Sequence, residues 1–197
     1  MKIVFMGTPD FAVPCLEEIV KAGHDVALVI SQPDRRMGRG KKVQMQPVKK
    51  RAVELNLEVY QPNRLKTEET VGRLKEIKPD CIIVVAYGQL LSKEILDIPK
   101  FGCINVHGSL LPEYRGAAPI HWAIVDGKKS TGITTMYMNE GLDTGDMILK
   151  EEVTIDINAN VGIMHDELSK VGANLLVETL KQVEEGCAPR EVQDDTL

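Results

Sequence analysis

Asn105 and His107 stand two positions apart at the end of a short apolar run, Cys103 to Val106. On an extended strand, residues at i and i+2 point to the same face. The run therefore presents an amide donor and an imidazole side by side, a pair able to stabilise an oxyanion and to move a proton. Polar groups so near a strand end must find partners, which packing alone does not supply. The loop that follows, Gly108-Ser109-Leu110-Leu111-Pro112-Glu113-Tyr114-Arg115-Gly116, carries two glycines expected to leave backbone bare for a ligand.

A third polar group comes from Asn139-Glu-Gly-Leu-Asp-Thr-Gly-Asp146. As a turn this segment has the expected residues, and its acids do not follow the spacing of a calcium loop. One of its three acids (Glu140, Asp143, Asp146) could deliver a carboxylate to the Asn105/His107 face, where it would orient the imidazole. The other histidines, His24, His121 and His165, lie in helical or helix-terminal contexts without companion ligands and read as packing or surface residues.

These groups need a scaffold, and the chain alternates strand and helix signals from its start. Strands are expected at Lys2–Met6, Asp25–Ser31, Asp80–Ala86, Gly102–His107, Gly132–Met138 and Met147–Ile155. Helices are expected at Phe11–Ala22, Pro47–Asn56, Thr67–Ile77 (with a cap near Thr67), Pro119–Asp126 and, as a long amphipathic closing element, Val161–Glu185. The continuous Cys81-Ile-Ile-Val-Val85 run looks buried on both faces, as in a parallel sheet. The alternation implies an α/β sheet with right-handed crossovers, its last two strands forming a more exposed antiparallel pair.

Bulk properties narrow the function. The chain has 197 residues and enough apolar content for a core. A formal net charge of −5 argues against a general nucleic-acid surface but leaves room for a local basic patch. The four cysteines (Cys15, Cys81, Cys103, Cys187) contain no C-x-x-C pair and read as reduced thiols, with neither a zinc site nor a disulfide framework. No signal peptide and no membrane-spanning run is apparent, so a cytoplasmic location is expected.

Three further segments could meet a ligand. Gly7-Thr-Pro-Asp-Phe11 opens a helix after the first strand, but it is not G-x-G-x-x-G, which argues against a nicotinamide cofactor. Val85-Ala-Tyr-Gly-Gln-Leu-Leu91 is a strand end with a glycine turn, the usual ligand position in open α/β sheets. Asp34 to Lys42 gathers Arg35, Arg36, Arg39, Lys41 and Lys42 around two glycines. A solvated loop is the common outcome for such a run, yet a phosphate-bearing partner, RNA included, also suits it.

Together, Asn105-x-His107, the Ser109-Leu-Leu-Pro112 turn and the distant Asp143 resemble the formyltransferase family that uses 10-formyltetrahydrofolate. So do Val4-Phe-Met-Gly-Thr-Pro-Asp-Phe-Ala12, Gln32-Pro-Asp-Arg-Arg-Met-Gly-Arg-Gly40 and His107-Gly-Ser-Leu-Leu-Pro-Glu-Tyr-Arg-Gly-Ala-Ala-Pro119. The resemblance implies a Rossmann-like α/β fold, a mostly parallel twisted sheet with helices on both faces. It implies direct amine attack on the formyl carbon of 10-formyltetrahydrofolate without a metal, the acceptor being the α-amine of initiator methionyl-tRNA. It implies Asn105, His107 and Asp143 as catalytic residues. Folate contacts would come from Ala86, Tyr87, Gly88, Gln89, Leu90, Ser109, Leu110, Leu111, Pro112, Asn139, Glu140 and Gly141. Arg35, Arg36, Arg39, Lys41 and Lys42 would approach the tRNA. Residues 1–186 would form the catalytic domain and 187–197 the start of a linker to a C-terminal domain absent from this chain; a monomer is expected.

Two alternatives make different demands. Another folate formyltransferase or a formylfolate hydrolase shares the Asn/His/Asp set but has no use for a protruding basic loop. A non-catalytic nucleotide- or RNA-binding module requires that Asn105, His107 and Asp143 do not converge.

Overall fold

The structure, a computed structural model, describes residues 1–37, 42–194 and 196. Seven strands form one sheet. β1 (Lys2–Gly7), β2 (Asp25–Ile30), β5 (Val59–Tyr60), β6 (Cys81–Val85) and β7 (Cys103–His107) run parallel. β8 (Ser130–Tyr137) and β9 (Met147–Thr154) complete it antiparallel. The order is β5-β2-β1-β6-β7-β8-β9, so the winding reverses between β1 and β6. At such a reversal the connections leave the sheet in opposite directions and open a crevice beyond the carboxyl ends of the strands.

Side chains alternate along the strands and fill two cores. Ile3, Phe5, Ile83, Val85, Ile104 and Val106 face one side, under α1 (Val13–Lys21), α2 (Pro47–Glu54) and α6 (Val161–Glu185). Val4, Met6, Ile82, Val84 and Cys103 face the other, under α3 (Glu68–Ile77) and α4 (Lys93–Leu96). Helices on both faces explain why the Cys81–Val85 run is apolar throughout, with all five residues buried. Cys15, Cys81 and Cys103 are buried free thiols. Burial pushes the Cys15 and Cys103 thiols up to about 12, Asp97 adding to the effect at Cys103, so they serve as small apolar residues.

The expected helices form, and the cap near Thr67 is among their ends. Thr67 caps α3, its hydroxyl accepting from the Thr70 amide at 3.2 Å, and Asn160 caps α6 through Ile163 at 3.0 Å. Gly186 ends α6 in the left-handed conformation at φ 72°. The first helix starts later than expected, since Asp10–Ala12 forms a short 3₁₀ turn ahead of Pro14. Four elements lacked a usable signal: β5, α4 and the two short strands β3 (Arg35–Met37) and β4 (Lys42–Gln44). The last two pair as an antiparallel hairpin where an irregular basic loop was expected. Among the described residues no helix is long and apolar enough to cross a membrane.

α6 lies across β8 and β9 and reaches the edge of β7 at Gly172. Gly172 permits the approach: a Cβ there would meet Val106 Cγ1 at 3.1 Å and Ile133 Cγ1 and Cδ1 beyond it. Val106 lies between Asn105 and His107, so this contact fixes the strand that carries both. Gly172→Leu is expected to cost about 1–3 kcal/mol by overpacking. Thermal unfolding should show a midpoint lowered by roughly 2–10 °C; an unchanged midpoint would contradict the packing.

Candidate active site

β7 delivers Asn105 and His107 to one face at its carboxyl end, both at least nine-tenths buried. Cross-strand neighbours sit on the same face, and β8 places Thr134 directly opposite His107. Thr134 is fully buried and fastens the following turn, its hydroxyl donating to the Ser109 carbonyl at 2.7 Å and accepting from the Leu111 amide at 3.0 Å. The Leu111–Pro112 peptide is cis, and the Ser109 hydroxyl donates to Glu113 O at 2.6 Å.

Asp143 reaches this face from the loop between β8 and β9. One carboxylate oxygen accepts from Asn105 Nδ2 at 3.2 Å; the other accepts from the Gly116 amide at 2.8 Å and lies 3.6 Å from His107 Nδ1. On its far side His107 Nε2 lies 2.9 Å from Tyr114 O and donates to it, which fixes the ring plane. Both ring nitrogens thus face acceptors, while Asn105 spends only one of its two amide hydrogens on Asp143. The Gly116 amide, expected to be bare, is taken by Asp143, and Gly108 is buried against Pro119 and Ile120 of α5 (Pro119–Val125).

Four non-glycine residues around the site hold positive φ: Ala86 at 47°, Tyr114 at 56°, Ala118 at 57° and Asp143 at 53°. Each such residue costs of order 1 kcal/mol or more and persists only where its surroundings impose it. They gather beyond the carboxyl ends of β6, β7 and β8.

The loop after β6 is tied to the β1/β6 crevice by a hydroxyl and by side-chain amides. Thr8 Oγ1 and Gln32 Nε2 both donate to Tyr87 O, at 3.2 Å each. Gln89 donates to Gln32 Oε1 at 3.3 Å and accepts from Leu65 N at 2.9 Å. The Tyr87 ring is turned into the α3-side core, where burial pushes its phenol up to about 12 and its hydroxyl finds no hydrogen-bond partner among the described residues. Only the backbone of this loop, with the exposed Ala86, Gly88 and Leu90, is presented outward. Leu111 and Ser109 are likewise buried, whereas Leu110 and Pro112 are half-buried and Asn139, Glu140 and Gly141 are exposed. Asn139 closes its own turn, accepting from Gly141 N at 3.0 Å and Thr144 Oγ1 at 2.9 Å.

The basic hairpin rises from a clamped base. Asp34 accepts from Lys49 Nζ, from Gln61 Nε2 at 2.9 Å and from the Gln46 amide at 3.3 Å. Gln46 in turn donates to Pro33 O at 3.1 Å. Partial burial pushes the Asp34 carboxyl up, but the Lys49, Gln61 and Gln46 contacts outweigh it and hold the group below the usual carboxylate range. Arg35 is exposed on β3; Arg36 and Lys42 occupy β3 and β4, paired with Val43 and Met37. Arg39 and Lys41 lie outside the described residues.

The remaining histidines are spent locally. His24 lies 3.2 Å from the Met1 amine, His165 pairs with Asp10 at 3.4 Å and packs edge-on to Phe11, and His121 is exposed on α5. Residues that the sequence did not single out are Thr134, recoverable only once the β7/β8 register is known, and Gln193, for which no local signal exists.

A family described as formyl transferase matches residues 1–180. The chain is 59% identical over 194 residues to the methionyl-tRNA formyltransferase of Clostridioides difficile (strain 630), covering 98% of this chain and 63% of that protein. It is 58% identical over 190 residues to the enzyme of the same name from Pelotomaculum thermopropionicum, covering 96% and 61%. The chain thus spans about three-fifths of the length of the curated relatives it matches. Among solved structures, the phosphoribosylglycinamide formyltransferase of Bacillus halodurans superposes with a TM-score of 0.77 at 24% identity, covering 93% of this chain and 95% of that one. The N-formyltransferase of Helicobacter canadensis, solved with folinic acid and dTDP-3-aminofucose, gives 0.74 at 20%, covering 99% and 68%. These likenesses bear out the Rossmann-like sheet with helices on both faces, and the sequence match goes further. The chain belongs to the formyl transferase family.

Proposed function

We propose that residues 1–186 are a catalytic unit that transfers the formyl group of 10-formyltetrahydrofolate to the α-amine of initiator methionyl-tRNA, with residues 187–197 leading towards a further domain. The observation that carries the reading is the convergence of Asn105, His107 and Asp143 in a chain of the formyl transferase family. A non-catalytic binding module has no need of that convergence. The names of the relatives more than half identical to this chain support the acceptor.

In this reading the amine nitrogen attacks the formyl carbon, a C–N bond forms and the carbonyl electron pair moves onto oxygen. The amide hydrogen that Asn105 does not share with Asp143 stabilises that oxyanion. Asp143 takes the proton lost by the amine, with His107 beside it as the donor to the intermediate. Collapse restores the C=O bond and breaks the bond to N10, which leaves with the proton. No covalent enzyme intermediate is needed.

The chain's own groups suit the folate donor. Outward backbone at Ala86–Leu91, with the exposed Leu90, and the Asn139–Gly141 turn offer hydrogen-bonding edges and an apolar surface for a pterin. Leu110 and Pro112 would line the same site. Ser109 and Leu111 would support it from behind, since their side chains are buried. Arg35, Arg36, Arg39, Lys41 and Lys42 would meet tRNA phosphates, which a small amine acceptor does not require.

His107→Asn should lower kcat by roughly 10²–10⁴-fold and leave folate affinity within experimental error; steady-state formyl transfer with unchanged turnover would sink the assignment. Asp34→Ala unclamps the hairpin and should raise KM for methionyl-tRNA roughly tenfold, the scale of ~1.4 kcal/mol, with KM for folate unchanged. Because its carboxyl is held below the ordinary range, the clamp is intact throughout the neutral region. It weakens only as pH falls through that lowered value, so the wild-type to variant ratio should be flat near neutrality. A parallel rise in both KM values would mean that Asp34 acts on the core and not on the hairpin.

A further inference from the structure

The segment after α6 carries no apolar periodicity, yet it is tied to the catalytic end of the sheet. Glu191 and Met147 exchange two backbone hydrogen bonds, of 2.8 and 2.9 Å. Arg190 lies 3.9 Å over the Tyr137 ring and 3.4 Å from Asp146. These tethers deliver Gln193, 6% exposed, beneath the loop that bears Asp143. Its Nε2 donates to Asp143 O at 2.9 Å and to Gly145 O at 2.8 Å, and its Oε1 accepts from Arg115 Nε at 2.8 Å.

Arg115 precedes Gly116, whose amide holds the Asp143 carboxylate. One side-chain amide therefore spans both segments that grip Asp143: it holds the main chain of the aspartate from below and the loop that binds its carboxylate from the side. The loop leaves little room for adjustment, since Asp143 sits at φ 53° and a Cβ on Gly145 would fall 1.7 Å from Tyr137 O. Removing the amide would leave two inward carbonyls without their donor, and the loop could recover them only by moving.

We infer that Gln193 is a positioning residue for Asp143. It lies beyond residues 1–180, the part of the chain that matches the family, so that the segment leading away from the catalytic unit sets the geometry of its carboxylate. The inference rests on the reading of Asp143 as catalytic.

The test is formyl transfer from 10-formyltetrahydrofolate to methionyl-tRNA by the wild-type chain, Gln193→Ala, Gln193→Glu and Asp143→Asn, each with its thermal midpoint. Gln193→Ala should lower kcat roughly 10–100-fold, the cost of a displaced group, with both KM values within about threefold. Gln193→Glu keeps an acceptor for Arg115 but, when ionised, offers no donor to the two carbonyls. Its activity relative to wild type should be low at about pH 8 and rise towards about pH 5.5, as the protonated carboxyl regains an O–H donor. Wild-type turnover by Asp143→Asn would overturn the reading of the site and this inference with it. Wild-type kcat in Gln193→Ala beside an inactive Asp143→Asn would overturn the inference alone. If Gln193→Ala does not fold, a pH-independent ratio for Gln193→Glu overturns it.

Discussion

The Asp143 carboxylate is the group on which the rest of the site depends. Its donors lie 38 and 27 residues before it in the chain: Asn105 on β7 and the Gly116 amide in the next loop, with the His107 ring beside them. A largely buried carboxylate must be satisfied by fixed donors, and each donor it recruits becomes part of the same arrangement. The carboxylate thereby sets the position of the Asn105 amide and, with Tyr114 O, the plane of the imidazole. The proposed formyl transfer requires dipoles in place before charge develops, and the protein's own anion would hold them there.

Sheet topology makes that arrangement possible. Parallel β7 brings two polar residues to a carboxyl end, where strands point into the crevice. The switch to antiparallel β8 and β9 creates a loop at the same end, and Asp143 sits on it. Neither half suffices alone. The positive φ values at Ala86, Tyr114, Ala118 and Asp143 show that the loops converging on this end are held in conformations they would not adopt by themselves. The burial that stabilises them lies in the two cores beneath, one under α6 and one under α3.

Much of this could be read from the residues, for identifiable reasons. Period-2 spacing puts Asn105 and His107 on one face, and the Cys81–Val85 run announces a strand covered on both sides. The cap at Thr67 is a local effect, and local effects are legible. What was not legible is long-range. β5 has two residues and α4 has four, too short for any periodicity. The arms of the basic hairpin are defined by pairing and not by composition. Thr134 acquires meaning only from its register with His107. Gly116 reads as bare backbone until the carboxylate from 27 residues away is seen to occupy it. Gln193, a polar residue in a featureless tail, has nothing around it in sequence that foretells a buried amide with all its bonds made.

The 3.2 Å hydrogen bond joins Asn105 to Asp143, and the proposed chemistry has the two act as one unit. The most direct test is a double-mutant cycle on kcat/KM for formyl transfer, with Asn105→Ala, Asp143→Asn and the pair combined. Groups that act as a unit are strongly non-additive. The combined variant should lose no more than about threefold beyond the worse single variant; losses that multiply would show two independent residues.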